Sequence, residues 1–332
     1  MKISVYLLLS ILLIGCGSDD LDRLRDANQS NDQEWLVDTL KMTGTTIINP
    51  FPFATNIRYE LVSELTDMPD YEEVVVFKIA GRIYVYPLNK LGIEVINDSY
   101  NGIYFTVTYC PKTKTTYVID RLINEKVHRF AASGLLYADN LVYYDLETES
   151  LWSQMYFRCV HGVYIRQSPS FINSFRTQFG TVKDYFPEGY CLIDYDMDKT
   201  LTSQSSLKSD YISGDMVFGL IKHDSPKADG VSVLNLDQLN GTQAFVESDQ
   251  ILLFSEEFNY TVAFYNEASL QFTVTNQFPV VLSDNEGNNW DVFGSAVDGT
   301  RKGQELEGAE SFLASWWAWQ GIYESFNFID EP

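Results

Sequence analysis

Four groups of residues return in one order at an offset of roughly 140 positions, and this recurrence narrows the possible folds more than any other feature of the chain. Asp145, Glu147, Trp152 and Gly162 are answered by Asp284, Glu286, Trp290 and Gly299. Downstream, Ser170-Phe171-Ile172-Asn173-Ser174-Phe175 is answered by Ser311-Phe312-Leu313-Ala314-Ser315-Trp316. Upstream, Val76-Phe77 and Leu88-Asn89-Lys90-Leu91 are answered by Val217-Phe218 and Leu236-Asp237-Gln238-Leu239. The pattern predicts two related β-rich halves, 36–195 and 213–332, produced by internal duplication. The polar stretch 196–212 reads as their linker, and the second half carries an insertion around Asp224-Ser225-Pro226-Lys227. Duplicated halves are expected to pack through equivalent faces and leave a cleft between them.

Each half reads as mainly β, in an α+β chain with few short helices. Residues 74–79 and 82–86 flank Ala80-Gly81 as a hairpin. Residues 103–109 and 115–120 are β-branched and aromatic runs of strand length, which makes 110–114 the turn between them. The runs 141–144 and 251–254 have the same character. Helices are expected at 170–179, just after Pro169, and at 311–319.

The first residues supply an address. Met1-Lys2 precedes an apolar run over 3–14 that has signal-peptide length and is too short to span a bilayer. It closes on Leu13-Ile14-Gly15-Cys16, a bacterial lipobox, so 1–15 would be removed and Cys16 would carry the lipid that holds the chain on a membrane. The alternative is an ordinary cleaved signal peptide. Residues 16–35 are polar and are expected to form a flexible acidic stalk. Asp19 and Asp20 behind the Cys resemble the export signal of Bacteroidetes surface lipoproteins, which points to the outer membrane and the cell exterior. A net charge of −23 argues against a nucleic-acid partner and against lying flat on anionic lipid. With Cys16 lipidated, Cys110, Cys159 and Cys191 remain. In an oxidising compartment that odd count leaves at least one thiol without an internal partner.

Six segments carry a family resemblance. They are Tyr86-Pro87-Leu88, Glu94-Val95-Ile96-Asn97-Asp98, Val107-Thr108-Tyr109-Cys110-Pro111, Ser133-Gly134-Leu135-Leu136-Tyr137, Leu151-Trp152-Ser153-Gln154 and Trp316-Trp317-Ala318-Trp319. In that order they resemble DUF3179, a bacterial family of unknown function, over roughly residues 70 to 325. The resemblance implies a redox or metal site at the Thr-Tyr-Cys-Pro turn. The family pattern has a second Cys three residues after the first, and often a His just before the Glu-Ile-Val-Asn-Asp segment. Thr113 and Ile93 stand at those places in this chain. Dithiol exchange needs a resolving thiol and a soft metal needs several N or S ligands, so both kinds of chemistry lose support together.

Other residues could rebuild such a site. Cys159 and His161 lie two apart, on one face if that segment is a strand, and with Cys110 they would form a Cys2His set that Glu94 could adjoin. The plainer reading makes Cys159 a small core residue and His161 a hydrogen-bonded loop residue. His128 and His223 have no acidic or thiol neighbour at ligand spacing and read as structural or exposed. Glu94, Asn97 and Asp98 could supply a general base, but 97–102 has the Asx and Gly content of a turn. Asp194, Asp196 and Asp198 alternate as in a calcium loop, yet Lys199 and Ser205 replace its Gly and closing Glu, which favours a solvated linker. Trp316, Trp317 and Trp319 beside Phe312 read as a plug between sheets rather than a sugar platform. No nucleotide loop, dinucleotide fingerprint, hydrolase triad or metalloprotease helix is present.

Two classes of function remain. One is a non-catalytic envelope lipoprotein, without a cofactor, that binds a ligand or partner in the cleft. The other is an envelope redox or metal-binding protein that uses Cys110 as a single thiol. A sugar binder has only its aromatics and its address in its favour.

Overall fold

The computed structural model describes residues 34–44, 50–92, 95–198, 214–222, 230–266 and 270–329. Cys16 and the signal segment, Ile93, Glu94, Lys199, Ser205, His223 and the insertion near Pro226 lie outside these residues. The described chain is mainly β, with three short α-helices.

In the first half, β1 (Met42–Gly44) and β2 (Ala54–Leu61) precede the hairpin β3 (Glu73–Ile79) and β4 (Arg82–Pro87) and the helix α1 (Leu88–Leu91). A meander follows: β5 (Ile96–Tyr100), β6 (Ile103–Cys110) and β7 (Thr115–Asp120). The short ribbon β8 (Leu122–Ile123) and β9 (Lys126–Val127) leads into β10 (Phe130–Tyr137), β11 (Asn140–Asp145), β12 (Leu151–Ser153) and β13 (Arg158–His161). Then come β14 (Phe171–Ile172), β15 (Ser174–Gln178), α2 (Phe179–Tyr185) and β16 (Tyr190–Met197). The second half opens with the hairpin β17 (Met216–Lys222) and β18 (Gly230–Asn235) and a 3-10 turn at Leu236–Gln238. Its first meander is β19 (Thr242–Glu247), β20 (Gln250–Ser255) and β21 (Tyr260–Tyr265). Its second is β22 (Phe272–Gln277), β23 (Val280–Asp284) and β24 (Asn289–Asp291), followed by β25 (Ser311–Ser315), α3 (Trp316–Ile322) and β26 (Phe326–Phe328).

The pairings run in the same order in both halves. β15-β3-β4-β16, with β16 parallel to β4, has the counterpart β25-β17-β18-β26, with β26 parallel to β18. Two meanders follow each hairpin: β5-β6-β7 and the four strands β10 to β13 in the first half, β19-β20-β21 and β22-β23-β24 in the second. Register fixes the equivalent residues. Ser174 opens β15 opposite Phe77, and Ser311 opens β25 opposite Leu220. The sequence echo therefore slips by four at Ser170 and by two at Val76, since Val74-Val75 share strand positions with Val217-Phe218. Both slips are even, so each kept the correct face of its strand.

Both predicted helices begin too early. Residues 171–172 and 174–178 are strand, and so are 311–315, with helix starting only at Phe179 and Trp316. Pairing with β3 and β17 decides this, because it satisfies the backbone groups of β15 and β25 in a sheet and overrides the local helical signals. The strand β5 likewise takes up 96–100, leaving Asn101 and Gly102, both at positive φ, as the turn. At the linker boundary, Asp196 and Met197 still pair with Thr55 and Ala54 on β2.

β2 is one of the strands that the halves do not share. It joins β5 to β16 and completes a nine-stranded sheet whose end strands, β14 and β15, are separated only by Asn173, so the sheet nearly closes into a barrel. Phe77, Tyr84, Tyr86, Phe105, Val107 and Leu192 fill its interior. Among the described residues the second half has no counterpart of β2, and its two sheets stay separate around Phe218, Leu220, Leu234, Phe245 and Leu252.

Each half also buries an outer face on the other. Val74, Val76, Phe175, Phe179 and Val182 of β3, β15 and α2 pack with Ile251, Leu253, Tyr260, Val262 and Trp290 of the second half. In exchange, Val217, Ile221, Phe312 and Trp319 of β17, β25 and α3 pack with Tyr117, Leu135, Tyr143 and Trp152 of the first. Full burial of a Val- or Phe-sized side chain contributes roughly 1.5–3 kcal/mol, so this double clasp is a large part of what holds the molecule together. Trp319 reaches its place because residue 219 is Gly: a Cβ there would stand 2.2 Å from the indole ring.

Candidate functional site

The Thr-Tyr-Cys-Pro turn lies where expected, between β6 and β7, with Cys110 as the last residue of β6 opposite Thr115. Its thiol is only 2% exposed, and Sγ donates to the Asp139 carbonyl at 3.8 Å. Lys112 of the turn forms an ion pair with Asp139. From the other half, the Ser315 N–H donates to the Thr113 carbonyl at 3.1 Å, so the start of α3 covers the turn.

Thr113 is fully buried and fully engaged. Its hydroxyl shares a hydrogen bond of 3.0 Å with the Thr115 hydroxyl and accepts from Asn140 Nδ2 at 2.9 Å. The same Asn140 nitrogen donates to Gln154 Oε1 at 2.9 Å, and Gln154 Nε2 donates to the Thr108 hydroxyl at 3.0 Å. The Met155 N–H closes the circuit on Asn140 Oδ1 at 2.8 Å. A thiol would be a poor member of such a network because it is a weak donor and acceptor, whereas a hydroxyl serves as both.

The other thiols are buried and unpaired by disulfide, and burial pushes both Cys159 and Cys191 up to about 12. Thiolate, the reactive and metal-binding form, is disfavoured at both. Cys159 and His161 sit on β13 with a register shift between them: Cys159 pairs with Trp152 and His161 with Leu151. Cys159 is core, and its Sγ donates to the His161 carbonyl at 3.2 Å. The His161 ring stacks on Trp35 at 4.3 Å, and burial holds its imidazole below the ordinary range. Trp35 is thus docked, and Glu34 pairs with Arg166 at 3.0 Å, so the predicted stalk ends before residue 34. The indole finds a flat aromatic partner there and leaves water. The proposed Cys2His set is not assembled, for Cys110, Cys159 and His161 do not place their ligand atoms within 4.8 Å of one another. These residues do not fit the metal or dithiol centre that the family pattern implies.

The described residues hold a different group of potential ligands: His128, Asp145 and Glu147. Contrary to the sequence reading, His128 has acidic neighbours. It is fully buried, and its Nδ1 lies 2.9 and 3.0 Å from the two oxygens of the buried Asp145 carboxylate. Seventeen residues separate the pair, so only the pairing of β10 with β11 reveals it. Both carboxylates are already occupied: Asp145 also accepts from the Glu147 N–H and the Thr148 hydroxyl, and Glu147 from Arg129. In the second half Asp284 does the same work with other partners, accepting from Asn288 and from Trp290 Nε1 at 2.9 Å. Burial would raise its pKa, but those hydrogen bonds outweigh burial and hold it below the usual carboxylate range. These are brackets for the β11 and β23 turns.

The remaining candidates resolve in the same way. Asp194 and Asp196 both pair with Arg58 across β2, so their alternation is an ion-pair ladder, not a calcium loop. Asn97 holds β10, accepting from the Phe130 N–H at 2.8 Å and donating to its carbonyl at 2.7 Å. Asp98 accepts from the Tyr59 hydroxyl. Trp319 is buried, stacked on Phe312 at 4.9 Å, and donates to the Val217 carbonyl at 3.2 Å.

Two half-buried clusters occupy corresponding places. In the first half, the Arg82 guanidinium lies 3.4 Å from the Tyr190 ring centroid, 4.5 Å from that of Tyr100 and 5.7 Å from that of Tyr84. Tyr84 pairs with Tyr190 across β4 and β16, as Ser232 pairs with Asn327 across β18 and β26. Tyr100 ends β5 as Glu247 ends β19. In the second half, Glu247 Oε1 accepts from Lys222, from Ser232 at 3.1 Å and from Asn327 at 3.0 Å.

One opening lies between the halves. A recess of about 290 Å³ is lined by Lys78 and 171–173 on one side and by Phe293 and 305–308 on the other. Asn173 Nδ2 stitches its two walls, donating to the carbonyls of Phe293 at 3.1 Å and Leu306 at 3.2 Å. The Lys78 ammonium lies 5.0 Å from the Phe293 ring centroid and pairs with Asp291 at 3.3 Å. Glu305 and Glu307 are exposed at the rim.

Fold and turn together define a class: β-rich proteins of two reciprocally packed halves around a buried Thr-Tyr-Cys-Pro turn. A family model described as Protein of unknown function (DUF3179) matches residues 49–326, and the chain belongs to that family. No curated protein and no solved structure matches the chain.

Proposed function

We propose that this is a lipid-anchored protein of the bacterial envelope, held by Cys16 in the outer membrane and open to the cell exterior, that binds a small ligand or partner between its halves without catalysing a reaction. The recess of about 290 Å³ carries the binding half of this reading, since it is a concave site between packed units where aromatic walls meet converging polar groups, the setting in which ligands are usually held. The lipobox Leu13-Ile14-Gly15-Cys16 carries the address. The thiol alternative has less support, because Cys110 is buried and no second thiol or imidazole among the described residues completes a site. The common order of pairings also supports descent of the two halves from one unit. Superposing 73–185 on 216–322 tests that descent, and strands that fail to overlay would sink it.

A thermal-shift screen of small metabolites against the full chain tests binding. The expected result is a stabilising compound whose effect is lost in Glu307→Trp, which crowds the recess. A compound that stabilises that variant equally binds elsewhere and overturns the site. Labelling with a thiol reagent tests the alternative: Cys110, Cys159 and Cys191 should react only after denaturation, and rapid native labelling of Cys110 would restore the redox reading. Palmitate incorporation that survives Cys16→Ser would refute the anchor.

A further inference from the structure

A second, smaller void of about 10 Å³ lies deeper between the halves, and its walls come from matching strand positions. Thr116 and Thr261 are each the second residue of β7 and β21; Ser174 and Ser311 open β15 and β25, with Phe175 and Phe312 next in line. The reciprocal contacts agree, because β15 packs on β21 and β25 on β7. A wall built from such pairs places the void on a pseudo-twofold axis relating the halves.

One pair breaks the symmetry in chemistry. Arg176, third in β15, faces the void where the second half has Leu313. Arg176 is 8% exposed; it donates from one terminal nitrogen to the Lys114 carbonyl at 2.9 Å and from the other to Glu73 at 2.5 Å. Its Nε is buried and has no partner among the described residues, and the same holds for the Thr116 hydroxyl. Two orphaned polar groups on the wall of one small cavity call for a shared partner that both donates and accepts.

We propose that this void is a binding site for a single ordered water molecule, which accepts from Arg176 Nε and hydrogen-bonds the Thr116 hydroxyl. The volume suits one water, and two polar groups are the minimum that such a water requires. With Leu313 in place of a second arginine, the axis offers one hydration site rather than a symmetric pair. The water then ties β15 to β7 within the first half, on the wall of the void that faces the second.

A crystal structure of the full chain at atomic resolution tests this. One isolated density peak within hydrogen-bonding distance of both Arg176 Nε and Thr116 Oγ1 is expected. The Thr116→Val variant keeps the shape of the wall and should lose the peak without shifting the halves. Arg176→Leu, which copies the other half, should lose it too. An empty void in the unmodified protein, or persistence of the peak in Thr116→Val, overturns the proposal. A crystal soaked in bromide adds a third readout: an anomalous peak in the void would make it an anion site and refute water as the occupant.

Discussion

The first half nearly closes a sheet around tyrosines and phenylalanines, while the second leaves the corresponding sheets apart around phenylalanines, leucines and a carboxylate. Where Arg82 stacks on Tyr84, Tyr100 and Tyr190, the other half gathers Lys222, Ser232 and Asn327 on Glu247. Where Asp145 holds His128, Asp284 holds Asn288 and Trp290. The strand pairings are shared and the chemistry inside them is not. Backbone register fixes where a side chain stands, and many sets of side chains can satisfy the same place provided polar groups are paired and apolar volume is filled.

That comparison can be broken by mutation. Trp319 and Val182 occupy the fourth position of α3 and α2, and both are fully buried in the clasp. Trp319→Ala should cost about 3–5 kcal/mol in denaturant unfolding, and Val182→Ala distinctly less. Equal losses would mean the two helices are not energetic counterparts in proportion to the volume they fill. Next in size is Asp284→Asn, with an expected loss of roughly 1–3 kcal/mol at neutral pH, because buried donors lose a charged acceptor. Asp284 has its folded pKa depressed below 3.8, so its stabilisation is present above that value and disappears as pH falls through the folded pKa. Melting temperatures of wild type and variant should therefore converge in acid; a gap that stays constant with pH would remove the carboxylate's charge from the account. The smallest effect belongs to Arg82→Gln, at about 0.5–2 kcal/mol, from loss of stacking on three tyrosine rings. A neutral result there would show that the tyrosines pack as well without the cation.

The strands that were legible showed themselves through β-branched and aromatic runs, as at Val74-Val75-Val76 and Thr106-Val107-Thr108. The paired motifs were legible too, and Leu88–Leu91 and the Leu236–Gln238 turn do fall at corresponding places. The errors came from interactions that a local window does not contain. Helix signals before Phe179 and Trp316 yielded to pairing with strands some 90 to 100 residues away. Asp194 and Asp196 read as the start of a solvated linker because Arg58, their partner, is distant in sequence. His128 seemed to lack an acid for the same reason, and nothing local to Thr113 discloses Asn140 and Gln154. The Thr-Tyr-Cys-Pro turn does lie between β6 and β7 as the sequence placed it, but only the fold shows the hydroxyl network that Thr113 enters.

The double clasp bears on how the chain reaches this state. Phe175 finds its ring partners in Tyr260 and Phe293, and Tyr117 finds one in Phe312, so neither shared core can consolidate until both ends of the polypeptide are present. Contacts of such long sequence separation delay folding, because loop-closure entropy is lost before the packing that rewards it is gained. Until then the N-terminal strands must carry an uncovered greasy surface. A nascent copy is thus committed late and all at once, with an interval in which it needs shielding from aggregation.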